Sequence, residues 1–177
     1  MIQIGKNFLK DKVLKGKPVI GTFNTLGSTM VTEVLARSGF DFLIIDFEHG
    51  PYDIKNVSQY VNACEINQCS PIIRIPKNSS WMTLQALDQG AHGIIVPGIN
   101  DYKSAKKFVE STKYSPLGNR GYTPFTKSGG FTNRNNDSYQ SKANHFTFSS
   151  IIIESLEGLN NLDDILKRSK EIGIEKL

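Results

Sequence analysis

The chain has 177 residues, 38% of them hydrophobic and 21% charged, which suits one soluble domain with a sizeable core. Its net charge of +4 is spread over scattered lysines, and the densest cluster, Lys103, Lys106 and Lys107, shares its stretch with Asp101 and Glu110, so it reads as a solvated helix face rather than a nucleic-acid patch. No apolar run nears the roughly 18 residues of a membrane helix, the opening MIQIGKNFLKDKVLKGK has no signal-like apolar segment, and the C-x4-C pair Cys64 and Cys69 lacks zinc spacing, so the expectation is a cytoplasmic protein with reduced thiols and neither membrane nor nucleic acid as partner.

The first predicted strand is PVIGTF, residues 18–23, followed by a turn. A helix is predicted over 29–38, with Ser28 or Thr29 as N-cap and Gly39 as its stop. DFLIID at 41–46 is a near-continuous apolar run, as a strand covered on both faces requires. A helix over 53–65 and the strand PIIRI at 71–75 follow. Ser80 caps a helix to about Leu87, which Gly90 stops. GIIV at 93–96 is a strand, and 101–113 is an amphipathic helix. The polar stretch from Ser115 to His145 is too long for an idle connection and reads as a lid or interface loop, with some helix near Ser138 to Ala143. A strand at 149–154 and a helix from Leu159 to Lys170 complete the series.

Strands alternating with helices imply a parallel sheet, either a TIM barrel or an open doubly wound sheet. Asp46, Glu48 and His49, Arg74 and Glu154 fall at or just past the C-terminal ends of separate strands. A barrel gathers such ends at one mouth, whereas an open sheet spreads them along a line. The expected fold is therefore an α/β barrel of the (β/α)8 type, represented by about five units in one domain over 1–177. No glycine-rich phosphate loop is present.

His49 follows Asp46 by three residues at a strand end, where an imidazole can exchange protons near neutral pH. It serves equally well as a backbone-bonding or helix-capping histidine. Arg74 sits inside an apolar strand and demands an anion, either an internal carboxylate such as Asp46 or a substrate oxygen. Glu154 suits a hard cation or a salt bridge. Asp88, near a helix end, reads by default as a surface or capping acid. His92 and His145 read as structural or exposed, and Phe23, Phe40, Phe42, Phe108 and Phe148 as core. Trp81 reads as a packing residue.

Five stretches together resemble the HpcH/HpaI aldolase and citrate lyase family: GFDFLIIDFEHGP, PIIRIP, LDQGAHGIIVPGI, YSPLGNRGYTP and IIIESLEGLNNLDDIL. They stand in the family's order and spacing and cover nearly the whole chain. A departure is Ser115 where many relatives have proline. The resemblance implies a TIM barrel and divalent-metal-dependent cleavage of 4-hydroxy-2-oxo acids to pyruvate and an aldehyde. It implies His49 as base, Asp88 as the partner that orients it, and Arg74 on the oxo and enolate oxygen. Glu154 becomes one of two metal carboxylates, with Asp46 supporting from behind. Mg²⁺, Mn²⁺ or Co²⁺ would suit such oxygen ligands, and complete relatives are expected to be homo-oligomers. No strand-end lysine points to Schiff-base chemistry.

The second carboxylate ligand is expected beyond Leu177, where the family continues into a sixth strand. The 177-residue chain alone is accordingly expected to have little aldolase activity. Two other functions compete: a citrate-lyase-like carbon–carbon lyase or carboligase, and a non-catalytic fragment that associates with a full-length homologue.

Overall fold

The computed structural model describes residues 5–131 and 137–168. Five strands form one sheet: β1 (Gly21–Asn24), β2 (Phe42–Asp46), β3 (Ser70–Arg74), β4 (Gly93–Val96) and β5 (Phe148–Ile151). They lie side by side in chain order, and every neighbouring pair is parallel. A doubly wound sheet reverses its order at a switch point. Among the described residues this sheet never does, which is the progression of a barrel wall.

The helices between strands are α2 (Thr29–Arg37), α3 (Val57–Glu65), α4 (Ser80–Asp88) and α5 (Tyr102–Thr112), with α6 (Asp137–Phe146) before β5 and α7 (Leu156–Asn160) and α8 (Leu162–Arg168) after it. An unpredicted short helix, α1 (Phe8–Val13), precedes β1. Side-chain caps fix the helix starts. Ser28 accepts from the Val31 N–H, as predicted, whereas Ser79 rather than Ser80 caps α4 by accepting from Met82. Asp101 and Ser104 form a reciprocal capping box on α5. The predicted helix over 53–65 opens with a 3-10 turn, Ile54–Asn56, before α3. The single helix predicted from Leu159 is instead α7 and α8, and its predicted end at Lys170 lies outside the described residues.

Alternation along the strands sorts their side chains onto two faces. Leu43, Ile45, Ile73, Ile94 and Val96 point to the helices and join Val57, Val61, Leu87, Phe108 and Val109 in the main core. Each fully buried large aliphatic there contributes about 1.5–3 kcal/mol. Phe42, Ile44, Ile72, Ile95 and Phe148 face the other way and meet Leu9 and Val13 of α1. Asn7 ties α1 to the strand starts through His92 O and Phe146 O at 2.9 and 2.8 Å. The wall thus has a plugged end at the strand N-termini and a free rim at their C-termini. Cys64 and Cys69 are buried free thiols, as expected. Among the described residues no helix is long and apolar enough to cross a membrane.

Candidate functional site

The rim is built by strand register. Asp46 and Arg74 are direct Cα partners across β2 and β3, on the same face as Ile44 and Ile72. Their side chains therefore meet. Arg74 Nε donates to Asp46 Oδ1 at 2.7 Å, and Arg74 Nη2 donates to Asp46 Oδ2. Arg74 Nη1 lies 3.2 Å from Glu48 Oε2. Phe23 of β1, expected in the core, is instead 48% exposed and carries the Arg74 guanidinium 4.9 Å from its ring centre. The internal ion pair, one of the two readings left open for Arg74, is thus present.

Asp46 also shapes the turn after β2. Its Oδ1 accepts from the backbone N–H groups of Glu48 and His49 at 3.1 and 3.2 Å. Its main-chain carbonyl accepts from Gly50, where an added Cβ would sit 2.5 Å from that oxygen. Burial opposes ionisation of Asp46, but the Arg74 hydrogen bonds and the two backbone donors outweigh it and hold its carboxyl below the usual carboxylate range. The same hydrogen bonds push the Arg74 guanidinium up, against desolvation.

This turn presents His49 outward. Its side chain is 70% exposed, and its Nε2 is 4.0 Å from Glu48 Oε1. Glu154 follows β5, is exposed, and contributes favourable charge to Arg74. Asp46, Glu48, His49, Arg74 and Glu154 therefore belong to one rim.

Asp88 does not. It ends α4, just before β4 begins, at the plugged end of the sheet. Its Oδ1 accepts from Arg120 Nη2 at 2.8 Å, with the Arg120 side chain 3% exposed. The expected pairing of Asp88 with His49 is therefore not made within this chain, because α4 carries Asp88 away from the rim. The stretch after Ser115 follows it: Ser128 N–H donates to Asp88 O, and Lys127 Nζ is 2.7 Å from Glu65 Oε2. These contacts fasten the described part of the segment to the plugged end of the sheet. The helix expected near Ser138 to Ala143 is α6.

His92 is structural, as expected, being 1% exposed between Glu65 and Ser70. Trp81 is 60% exposed and is not packed as expected. Sequence reasoning missed Glu48 as an Arg74 ligand and Arg120 as the Asp88 partner.

The donor set bears on a divalent cation. Asp46 and Glu48 are held by Arg74, which leaves Glu154 as the uncommitted rim carboxylate. Among the described residues no three His, Cys, Asp or Glu side chains gather as a metal cluster. A small hard cation keeps several waters and takes one or two protein carboxylates, so Glu154 is the described rim residue that would hold one, and it is a single ligand.

Comparison with known proteins bears on the rim's origin. The model of the HpcH/HpaI aldolase/citrate lyase family matches residues 20–175. A hydroxypyruvate/pyruvate aldolase of Agrobacterium fabrum is 32% identical over 161 residues, covering 91% of this chain and 60% of its own length. A 4-hydroxy-2-oxo-heptane-1,7-dioate aldolase of Salmonella dublin is 33% identical, covering 91% and 61%. The crystal structure of a family protein from Burkholderia cenocepacia superposes with a TM-score of 0.82 at 30% identity, over 90% of this chain and 64% of that one. The chain thus spans less than two thirds of the length of the curated relatives it matches. With a family match running from the first strand to the last described helix, this chain belongs to the HpcH/HpaI aldolase/citrate lyase family.

Proposed function

We propose that the rim of this chain handles the enolate of pyruvate in the aldol cleavage of a 4-hydroxy-2-oxo acid. The observation that carries this reading is the shared rim at the C-terminal ends of β2, β3 and β5, where Arg74 closes β3, His49 follows β2 and Glu154 follows β5. In the reaction the exposed His49 imidazole accepts the proton of the 4-hydroxyl. The C3–C4 bond breaks, C4 becomes the aldehyde carbonyl, and the bond pair passes through C3 to the C2 oxygen as an enolate. Arg74 places fixed positive charge where that oxygen gains its negative charge. Glu48 is the more exposed of its two carboxylate partners, 22% against 1% for Asp46, so it is the one a substrate oxygen displaces. Protonation of C3 completes pyruvate.

The family is typically metal-dependent, and a bound divalent cation supplies Lewis-acid stabilisation of the enolate. Because Glu154 alone does not make its site, the steps above are assigned to protein groups only. Asp88 enters this reading as the anchor of Arg120, not as a partner of His49.

The test supplies a 4-hydroxy-2-oxo acid with Mg²⁺, Mn²⁺ or Co²⁺ and reads pyruvate with lactate dehydrogenase. A citryl thioester forms the parallel arm. Pyruvate release from the hydroxy-oxo acid that falls about 10²–10³-fold in Arg74→Ala supports the reading. Cleavage confined to the thioester, or release indifferent to Arg74, contradicts it.

A further inference from the structure

The chain's two cysteines flank the turn between α3 and β3, and none of the aldol chemistry proposed above uses them. This turn is a complete helix-ending motif. Cys69 N–H donates to Cys64 O at 3.1 Å, and inside that bond Gln68 N–H donates to Glu65 O at 3.1 Å. Gln68 takes the left-handed conformation, φ 57°, where glycine is usual. In this motif the residues at the two ends of the outer bond pack against each other across the helix end. Here both of them are cysteines.

Three features set this pair up for a covalent bond. The first is reach. A disulfide needs its Cα atoms within about 7 Å, and with standard bond lengths the 3.1 Å bond from Cys69 N to Cys64 O holds them within about that distance. The second is contact. The two thiols hydrogen-bond to each other, and that bond, then burial, pushes the Cys64 thiol up. The third is the cover. Both cysteines are 0% exposed and belong to the main core, whereas Ile66 and Gln68 between them are exposed. The sulfurs thus lie under a short surface turn. Buried, protonated thiols are poor nucleophiles, so their reaction waits on local opening of that turn.

We propose that Cys64 and Cys69 form a dithiol that a peroxide converts to an intramolecular disulfide, fastening the end of α3 to the start of β3. As the turn opens, one thiolate attacks the peroxide O–O bond, becomes a sulfenic acid and releases a first water. The other thiol then displaces the sulfenic oxygen as a second water, and the S–S bond forms. Two electrons and two protons pass from the thiols to the peroxide. The experiment treats the folded protein with hydrogen peroxide, removes the excess, alkylates any free thiol in denaturant and cleaves after glutamate. Glu65 lies between the cysteines, so the two cysteine peptides should stay joined and unalkylated, and should separate on adding dithiothreitol. Hydrogen exchange at the Cys69 amide should slow about tenfold or more on oxidation, because the disulfide restrains the opening of the turn. Alkylation of both cysteines after peroxide, sulfinic acid without a crosslink, a disulfide formed only between chains, or Cys69 exchange unchanged by oxidation overturns the proposal.

Discussion

Asp46 satisfies four donors with two oxygens: two from Arg74 and the backbone N–H groups of Glu48 and His49. It therefore holds both the cation and the turn of the rim. Asp46→Asn leaves Arg74, itself 14% exposed, without its bidentate partner. Breaking a buried pair of this kind costs about 3 kcal/mol, to be read from urea unfolding. The pH dependence has a defined sign. The folded-state pKa of Asp46 is depressed, so its stabilisation is complete above the unfolded value of about 3.9 and is lost as pH falls through the lower folded value. The parent should lose stability below about pH 4 more steeply than Asp46→Asn; identical acid limbs would contradict the assignment. Part of this was legible in the sequence, since an arginine inside PIIRIP must find an anion. Glu48 was not legible as a ligand, because the direction its side chain takes depends on the turn that Asp46 organises. Phe23 escaped for a related reason: periodicity marks it as core, but the cation it meets belongs to a strand two positions away in the sheet.

At the level of elements, the strands were the most readable feature, because a run covered on both faces leaves little but Ile, Leu and Val. All five predicted strands appear, shifted by up to three residues at their ends. Helix α1 was missed because six residues carry too little periodicity; its place depends on Asn7 and on the apolar face that Leu9 fills. The break between α7 and α8 depends on tertiary contact as well, with Asn161 Nδ2 bonding to Asn100 O at 2.9 Å. Gly93, at the start of β4, shows how closely elements approach. A Cβ there would lie 2.4 Å from Phe148 O and 2.8 Å from Phe148 Cβ. Gly93→Ala must push β5 outward and should cost about 1–3 kcal/mol, measured by the denaturation midpoint. An unchanged midpoint would mean that β5 is less tightly registered than the structure has it.

Across the whole molecule, the parallel sheet sorts its chemistry to its two ends. The C-terminal rim carries His49 and Arg74, and the N-terminal end carries α1 and the Asp88–Arg120 pair. The polar residues at strand ends led to the rim, but motif order alone cannot say which end of a helix faces which neighbour, and within this chain Asp88 meets Arg120 rather than His49. Protection should follow strand order as well. β3 is paired on both sides, while β1 and β5 each have one strand partner among the described residues. Hydrogen exchange should be slowest in β3 and faster in β1 and β5. Equal protection in β1 and β3 would place another element against the β1 edge.

The most direct test of the rim is the partial reaction of pyruvate itself. Exchange of its methyl protons with deuterated water, followed by ¹H NMR in the presence of a divalent cation, reports enolate formation without an aldehyde. The account predicts protein-dependent exchange that Arg74→Ala lowers by about 10²-fold or more. Exchange at the same rate in Arg74→Ala, or none above the protein-free rate in the parent, would contradict it.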